Sequence, residues 1–173
     1  MMIRKSILAL AVIAAGTLSF VGQSSAAPAT GDVYFNAAVP GECNFSNSVN
    51  GTATKYDSTL LTSDPNDGQG GISGAIDLAC SGSAVLTVAN PVQLAGPTST
   101  AGGDAAFVYT SAGNVVSPFG ATLGFGVGTA TSVSLPANFS QQGIRVDTWN
   151  RTNGAQLVAG NYAYKVTLTA TPN

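Results

Sequence analysis

The sequence contains no histidine and few charged residues. Histidine is the side chain most often used to move protons near neutral pH, so its absence argues against general acid–base catalysis. The carboxylates are scattered, and most of them lie beside Gly, Pro or Asn in turn-like segments. Neither Lys55 nor Lys165 lies in a motif typical of a serine–lysine pair. The sequence therefore predicts a protein that is not an enzyme, with no catalytic residue and no cofactor.

Charged residues make up 8% of the chain, where about 25% is usual. After residue 26 the basic residues are Lys55, Arg145, Arg151 and Lys165, against eight acidic residues. The resulting net charge of about −4 argues against nucleic acid or anionic lipid as a partner. A surface covered by Ser, Thr, Asn, Gln and Gly favours a packed extracellular assembly over a free cytosolic enzyme.

The chain has only two cysteines, Cys43 and Cys80. In an exported protein such a pair most simply forms one disulfide. This bond would close a loop of 36 intervening residues, worth about 4 kcal/mol on the loop-entropy estimate. A metal site is the alternative, but two thiolates without histidine supply too few soft ligands. Asp64, Asn66 and Asp67 form a second candidate, for calcium, but they lack the spacing of a hand-type loop and fit an exposed turn better.

The N-terminal residues have the layout of a secretory signal peptide. Arg4 and Lys5 precede an apolar run from Ile7 to Ala15, and a small-residue cleavage site follows at Ser24-Ser25-Ala26. A membrane anchor is the alternative, but the run is short and interrupted compared with the roughly 20 apolar residues of a span. No later apolar segment is long enough to cross a bilayer as a helix. We therefore expect a signal peptide over residues 1–26, an exported chain with no membrane insertion, and one domain over residues 27–173.

Most of the remaining sequence alternates between apolar and polar residues, which is typical of half-buried strands. One face of the predicted first strand carries Val33, Phe35, Ala37 and Val39. Ile76, Leu78 and Cys80 share a face in "AIDLAC", with Asp77 opposite as a solvated carboxylate. "AVLTVANPVQL" contains a bend at Asn90-Pro91, and Asn153-Gly154 is the strongest hairpin signal. Eight or so short strands, spaced by about 8–12 residues, predict an all-β sandwich without a helix after the signal peptide.

The strand in "AGNYAYKVTLTATPN" shows the clearest alternation. Its apolar face carries Tyr162, Tyr164, Val166, Leu168 and Ala170, and its other face carries Ala163, Lys165, Thr167, Thr169 and Thr171. Together with "GDVYFNAAVPGEC" and "IDLACSGSAVLTV", this ending resembles chaperone–usher pilin subunits, in particular the spore-coat-U-like, archaic type. The resemblance covers about half of residues 27–173, through short motifs.

The resemblance implies an incomplete immunoglobulin-like sandwich whose final strand borders an open hydrophobic groove. It implies that Cys43 and Cys80 join the first strand to the end of the second, and that Tyr162, Tyr164, Val166 and Leu168 face the groove. The implied partners are a periplasmic chaperone, an outer-membrane usher and like or related subunits, each supplying or guiding a complementing strand. The implied route leads through the periplasm to the cell surface or the extracellular space.

One departure from the family pattern leaves alternatives open. The segment that precedes Asp32, Ala27 to Gly31, consists of five small residues and cannot fill a groove. The signal peptide is cut earlier, or the subunit accepts a strand without donating one, or the sandwich is complete and does not polymerise.

The leading hypothesis is a structural or adhesive subunit of a bacterial surface fibre or coat. The alternative is a self-complete secreted β-sandwich that binds glycan or another surface ligand. Exposed aromatic side chains would favour the second hypothesis, but we interpret Trp149, the only tryptophan, as part of the core.

Overall fold

The computed structural model describes residues 33–97, 101–123 and 130–173. The predicted signal peptide, residues 1–26, lies outside this part of the chain. Ala38–Asn173 form one compact unit. Within the described ranges, no helix is both long enough and apolar enough to cross a membrane.

The described residues form twelve strands, one 3-10 turn and one short helix. The elements, in chain order, are β1 (Cys43–Val49), β2 (Thr54–Lys55), β3 (Leu60–Thr62), the 3-10 turn Pro65–Asp67, β4 (Gly74–Cys80), β5 (Ala84–Val88), β6 (Val92–Ala95), β7 (Ala101–Thr110), β8 (Gly113–Val116), α1 (Pro118–Leu123), β9 (Ser132–Leu135), β10 (Ser140–Thr152), β11 (Ala163–Lys165) and β12 (Leu168–Pro172). This content confirms the predicted all-β class.

Antiparallel pairing arranges these strands in one large sheet and two small ones. The large sheet has the order β1-β4-β10-β3-β2, and β7 pairs with β10 and carries β8 on its outer side. The small sheets are β12-β5-β9 and β11-β6. Residues 89–91 separate β5 from β6, where the sequence predicts a bend at Asn90-Pro91.

The main core lies between the large sheet and the β12-β5-β9 sheet. Leu78, Val108 and Ile144 come from the large sheet and meet Leu86 and Leu135 from the other. All five side chains are almost completely removed from water. Two sheets that bury their facing side chains in this way form a β-sandwich, as the alternating sequence pattern predicts.

A second, smaller cluster covers the outer face of the large sheet. Ala105, Phe107 and Val116 form its centre, with Trp149 and Ala121 packed against it. The rings of Phe107 and Trp149 meet edge to face with their centroids 5.8 Å apart. Trp149 therefore serves packing, in agreement with its interpretation as a core residue.

The first strand begins later than the sequence predicts. Val33, Phe35, Ala37 and Val39 lie in no strand, and β1 starts at Cys43. Alternation indicates that a segment can form a strand, but it does not identify a partner strand. In the structure β1 pairs with β4. The side chains of Val33 and Phe35 are 76% and 92% exposed.

Two further predictions are wrong. Pro118–Leu123 forms a helix in a region predicted to hold none. Six residues are too few for a readable helical period, and the helix is held by packing, with Gly120 against Val116 and Ala105. Asn153-Gly154 makes a turn with Gly154 at φ 75°, but no hairpin follows, because β11 pairs with β6 instead of β10.

Candidate functional site: a groove between two strand edges

Among the described residues several strands pair on one side only, and two of these, β1 and β12, approach each other. β1 pairs with β4 on one side, and β12 pairs with β5 on one side. The two edges converge at one end, where a methyl group on Gly41 would lie 3.5 Å from Cβ of Pro172. We call this the closed end. A groove lies at the other end, near Val49 and Tyr162. We call this the open end.

The groove has a volume of about 490 Å³. All four residues predicted for the apolar face of the last strand line it, namely Tyr162, Tyr164, Val166 and Leu168. The opposite wall and the floor include apolar Val49, Ile76 and Val146 and polar Ser48, Asn50, Ser63 and Thr148. The lining thus mixes apolar and polar side chains, and it also includes Asp147.

The predicted last strand is divided in the structure: Ala163–Lys165 form β11, which pairs with β6, and Leu168–Pro172 form β12, which pairs with β5. Burial along the whole segment still follows the predicted alternation. Tyr162, Tyr164, Val166, Leu168 and Ala170 are half-buried, and the residues between them are exposed. Val166, Leu168 and Ala170 pack against the main core, so the groove leaves part of that core open to solvent. The Tyr162 and Tyr164 rings stand parallel with centroids 6.5 Å apart, and Tyr162 donates its hydroxyl to the carbonyl of Val158 at 2.7 Å.

Cys43 and Cys80 form a disulfide, as predicted. They are direct partners in the β1–β4 ladder, so the bond fastens the edge strand of the groove to the sheet behind it. Cys80 is buried in the main core and Cys43 is packed against it.

A charged network lies at Arg145. Its guanidinium contacts Asp64 at 2.6 Å, bonds Asp147, and lies 4.6 Å from the centroid of the Tyr109 ring. Burial raises the pKa of Asp147, and the hydrogen bond from Arg145 opposes that rise. Burial, followed by the charge of Asp147, raises the pKa of Tyr109 to about 12. The guanidinium of Arg145 thus offsets part of the negative charge of Asp64 and Asp147. We interpret this network as structural.

The carboxylates of the candidate calcium site accept hydrogen bonds from other groups of the protein. Asp64 accepts the backbone N–H of Asn66 at 2.9 Å as well as the Arg145 contact, and Asp67 accepts the hydroxyl of Thr62 at 2.6 Å. In the described part of the chain, no three His, Cys, Asp or Glu residues gather as metal ligands.

Two polar residues lie side by side on the face of the large sheet that packs against the main core. Asp104 on β7 is the direct partner of Asn150 on β10. Within the described residues, Asp104 Oδ1 and Asn150 Nδ2 have no hydrogen-bond partner, and Asn150 is fully buried. Burial raises the pKa of Asp104 to about 6, against the backbone N–H of Arg151, which lowers it.

Comparison of the chain with known protein families, with curated proteins and with solved structures found no match. The sequence pattern identified one wall of the groove but not the other. Ile76 and Val146 belong to strands whose alternation predicts core positions, and nothing in their spacing indicates that they border an opening. Their place in the groove follows from which strands lie at the edges.

Proposed function

We propose that this chain is a secreted structural or adhesive subunit of a bacterial surface fibre or coat, assembled by β-strand complementation. The observation that carries the proposal is the groove whose walls include the end of β1 on one side and the segment from Tyr162 to Leu168, across β11 and the start of β12, on the other. An incoming strand would bond to the backbone of either edge and place alternate side chains on Tyr164, Val166 and Leu168. Covering this groove would bury apolar area that the subunit alone leaves in water.

The residues before β1 are a candidate for the strand that would occupy the groove. Because β1 starts at Cys43, the segment from Val33 to Glu42 is available as an arm, in which Val33, Phe35 and Val39 are exposed at alternating positions. This arm is longer and more apolar than the five small residues that precede Asp32. The objection that five small residues cannot fill a groove assumes that residues 33–39 belong to the first strand. If residues 33–39 belong to the arm, this objection no longer applies.

The attachment of the arm supports exchange between copies. Ser81 donates its N–H to the carbonyl of Glu42 at 2.8 Å, and Gly41 packs against Gly82. These contacts fix the root of the arm at the closed end, whereas the groove is lined by residues at the other end, such as Val49 and Tyr162. A contact that joins one end of a molecule to the opposite end of the next does not close on itself and generates a filament.

The proposed partners follow from this geometry together with the family resemblance. A periplasmic chaperone would occupy the groove during export, an outer-membrane usher would receive the complex, and another copy would supply the final strand. Covering the two open edges at every stage would prevent the unspecific pairing to which exposed strand edges are prone.

The proposal is tested in the arm itself. Phe35→Asp should abolish assembly, because the carboxylate would face the apolar wall of Tyr164, Val166 and Leu168 in a groove that also contains Asp147. Tyr34→Asp introduces the same charge at the neighbouring position, whose side chain would point away, and should assemble nearly as well. Size-exclusion chromatography and heat-resistant ladders on gels would report assembly. A wild-type protein that stays monomeric at every concentration, without an added chaperone to hold it so, would contradict the proposal.

A further inference from the structure

Asp77 stands between two β-bulges at the same level of the large sheet. On the β1 side, the pairs Ser46–Asp77 and Val49–Ala75 leave two residues, Asn47 and Ser48, opposite the single residue Ile76. On the β10 side, the pairs Gln141–Leu78 and Ile144–Ile76 leave Gln142 and Gly143 opposite Asp77 alone. Each bulge adds one residue to a strand that flanks β4, and a bulge bends and twists the strand that carries it.

The Asp77 carboxylate connects these two bulges. Asn47 donates its side-chain amide to Oδ2 at 2.7 Å, and Gly143 donates its backbone N–H to Oδ1 at 2.7 Å. Asn47 and Gly143 both adopt left-handed backbone conformations, with φ of 49° and 59°. The hydrogen bond from Asn47, and then that from Gly143, lowers the pKa of Asp77. The residue that the sequence predicts to carry a solvated carboxylate is half-buried, and both carboxylate oxygens accept hydrogen bonds from neighbouring strands.

The bulge in β1 changes which residues of the edge strand face the groove. Cys43 and Phe45 pack against the core, and strict alternation would turn Asn47 and Val49 the same way. The extra residue instead turns Asn47 onto Asp77, and Ser48 joins the groove lining beside a Val49 that is 60% exposed. The bulge therefore sets the polar character of the open end.

We infer that Asp77 is a positioning residue for the groove, which holds the edge strand β1 in its bulged form beyond Ser46. This inference rests on the proposed function, in which the groove receives a strand. Regular ladder pairing along β1 is then available over Cys43–Ser46, and the bulged part presents Ser48 and Asn50 as hydrogen-bonding groups. Such a bulge also discourages unrelated strands from pairing along the whole edge.

The test compares three variants in the full exported chain. Asp77→Ala removes the carboxylate, and Asn47→Gly removes the amide while retaining a residue that tolerates positive φ. Asp57→Ala is the matched control, because Asp57 also accepts two hydrogen bonds, both from Thr59 at 2.6 and 2.9 Å, but does not join two strands. The probe is a fluorescent peptide with the sequence of residues 31–40, and its binding is followed by anisotropy.

We expect Asp77→Ala and Asn47→Gly to weaken peptide binding about tenfold each, a change of about 1.4 kcal/mol, and Asp57→Ala to bind like the wild type. Amide hydrogen exchange at Ser48–Asn50, measured without peptide, should accelerate in the first two variants alone. Wild-type affinity in both variants would overturn the inference, and Asn47→Gly decides the matter if Asp77→Ala does not fold.

A wild-type chain that does not bind the peptide would count against the proposed function and not against the role of Asp77. In that case the exchange data decide. Unchanged exchange at Ser48–Asn50 in Asp77→Ala and Asn47→Gly would show that the bulge forms without the carboxylate, and the inference would be rejected.

Discussion

Cys43 lies directly opposite Cys80 in the antiparallel ladder of β1 and β4, with the two Cα atoms 4.1 Å apart and the sulfurs bonded. The bond fastens an edge strand that has no strand neighbour on its other side among the described residues. We therefore expect a change in the disulfide to affect both the edge strand β1 and the groove that its end lines.

Loss of the disulfide should destabilise the whole sandwich. Cys80→Ser should lower the free energy of unfolding by about 4 kcal/mol, the loop-entropy value for this separation. Such a loss is a large part of the stability of a small domain, so export yield should also fall. Urea unfolding of the wild type and of Cys80→Ser would measure the difference, with Cys43→Ser expected to match. Two free thiols in native protein, found by mass spectrometry, would contradict the assignment of the bond.

The last strand should show a contrast between its two faces. Val166→Asp or Leu168→Asp should abolish strand capture, because either change places an unpaired charge on the apolar wall of the groove. Thr167→Asp and Thr169→Asp lie on the exposed face and should do much less. Binding of the peptide with the sequence of residues 31–40, measured as a rise in melting temperature, reports capture.

This contrast is informative only if the damaged face still folds. Retention of the disulfide and of export by Val166→Asp would show that the fold survives. Equal loss of capture in Val166→Asp and Thr167→Asp would refute the assignment of the faces. A wild-type protein whose melting temperature does not respond to the peptide would show a fold already closed by its own strands.

Asp104 should make the stability depend on pH. Burial raises its pKa from 3.8 to about 6, so the folded state binds this proton more tightly than the unfolded state does. The stabilising effect of the protonated form is complete at pH below about 4 and is lost as the pH rises through about 6. Asp104→Asn should therefore raise the melting temperature at pH 7 by about 2–4 °C and have little effect at pH 4.

Thermal unfolding between pH 4 and 8 would measure this difference. Asp57→Asn serves as the control, because hydrogen bonds from Thr59 lower the pKa of Asp57 and its removal should not stabilise at pH 7. A parallel pH dependence in Asp104→Asn and wild type would show that Asp104 does not cause the change.

Arg145 should be needed chiefly because Asp147 is buried. The side chain of Asp147 is 1% exposed, and Arg145→Met leaves its charge without a cation. We expect a loss of about 3 kcal/mol, typical of breaking a buried pair by removing one partner. The double variant Arg145→Met, Asp147→Leu should lose much less than the two single variants together. Strictly additive losses in urea unfolding would contradict a direct coupling between the two residues.

Local pattern predicted those features that depend on a strand's own residues. The alternation from Tyr162 to Ala170 predicted the burial of every residue in that stretch, because side chains of extended backbone point to opposite faces whatever the partner. It did not predict that the stretch divides into β11 and β12, which pair with different strands. The bend at Asn90-Pro91 was also readable, since proline cannot donate to a ladder. The disulfide followed from a lone pair of cysteines.

Features that depend on partners were not predictable in the same way. Val33, Phe35, Ala37 and Val39 alternate as well as Cys43–Val49 do, yet only the second segment pairs with β4. Asn153-Gly154 makes its turn, but the strand after it finds β6 instead of β10. Both outcomes follow from competition between distant segments, which a local pattern does not contain.

The sequence by itself determined the all-β class, the disulfide pair and the apolar face of the last strand, because composition, residue count and a period of two act locally. The tertiary structure alone decided which strands lie at the edges of the sheets, that Ile76 and Val146 line a groove together with Val166 and Leu168, and that Asp77 joins two bulges. The physical reason is that a strand edge is open or covered only in relation to every other strand, and that relation is set by pairing across the whole chain.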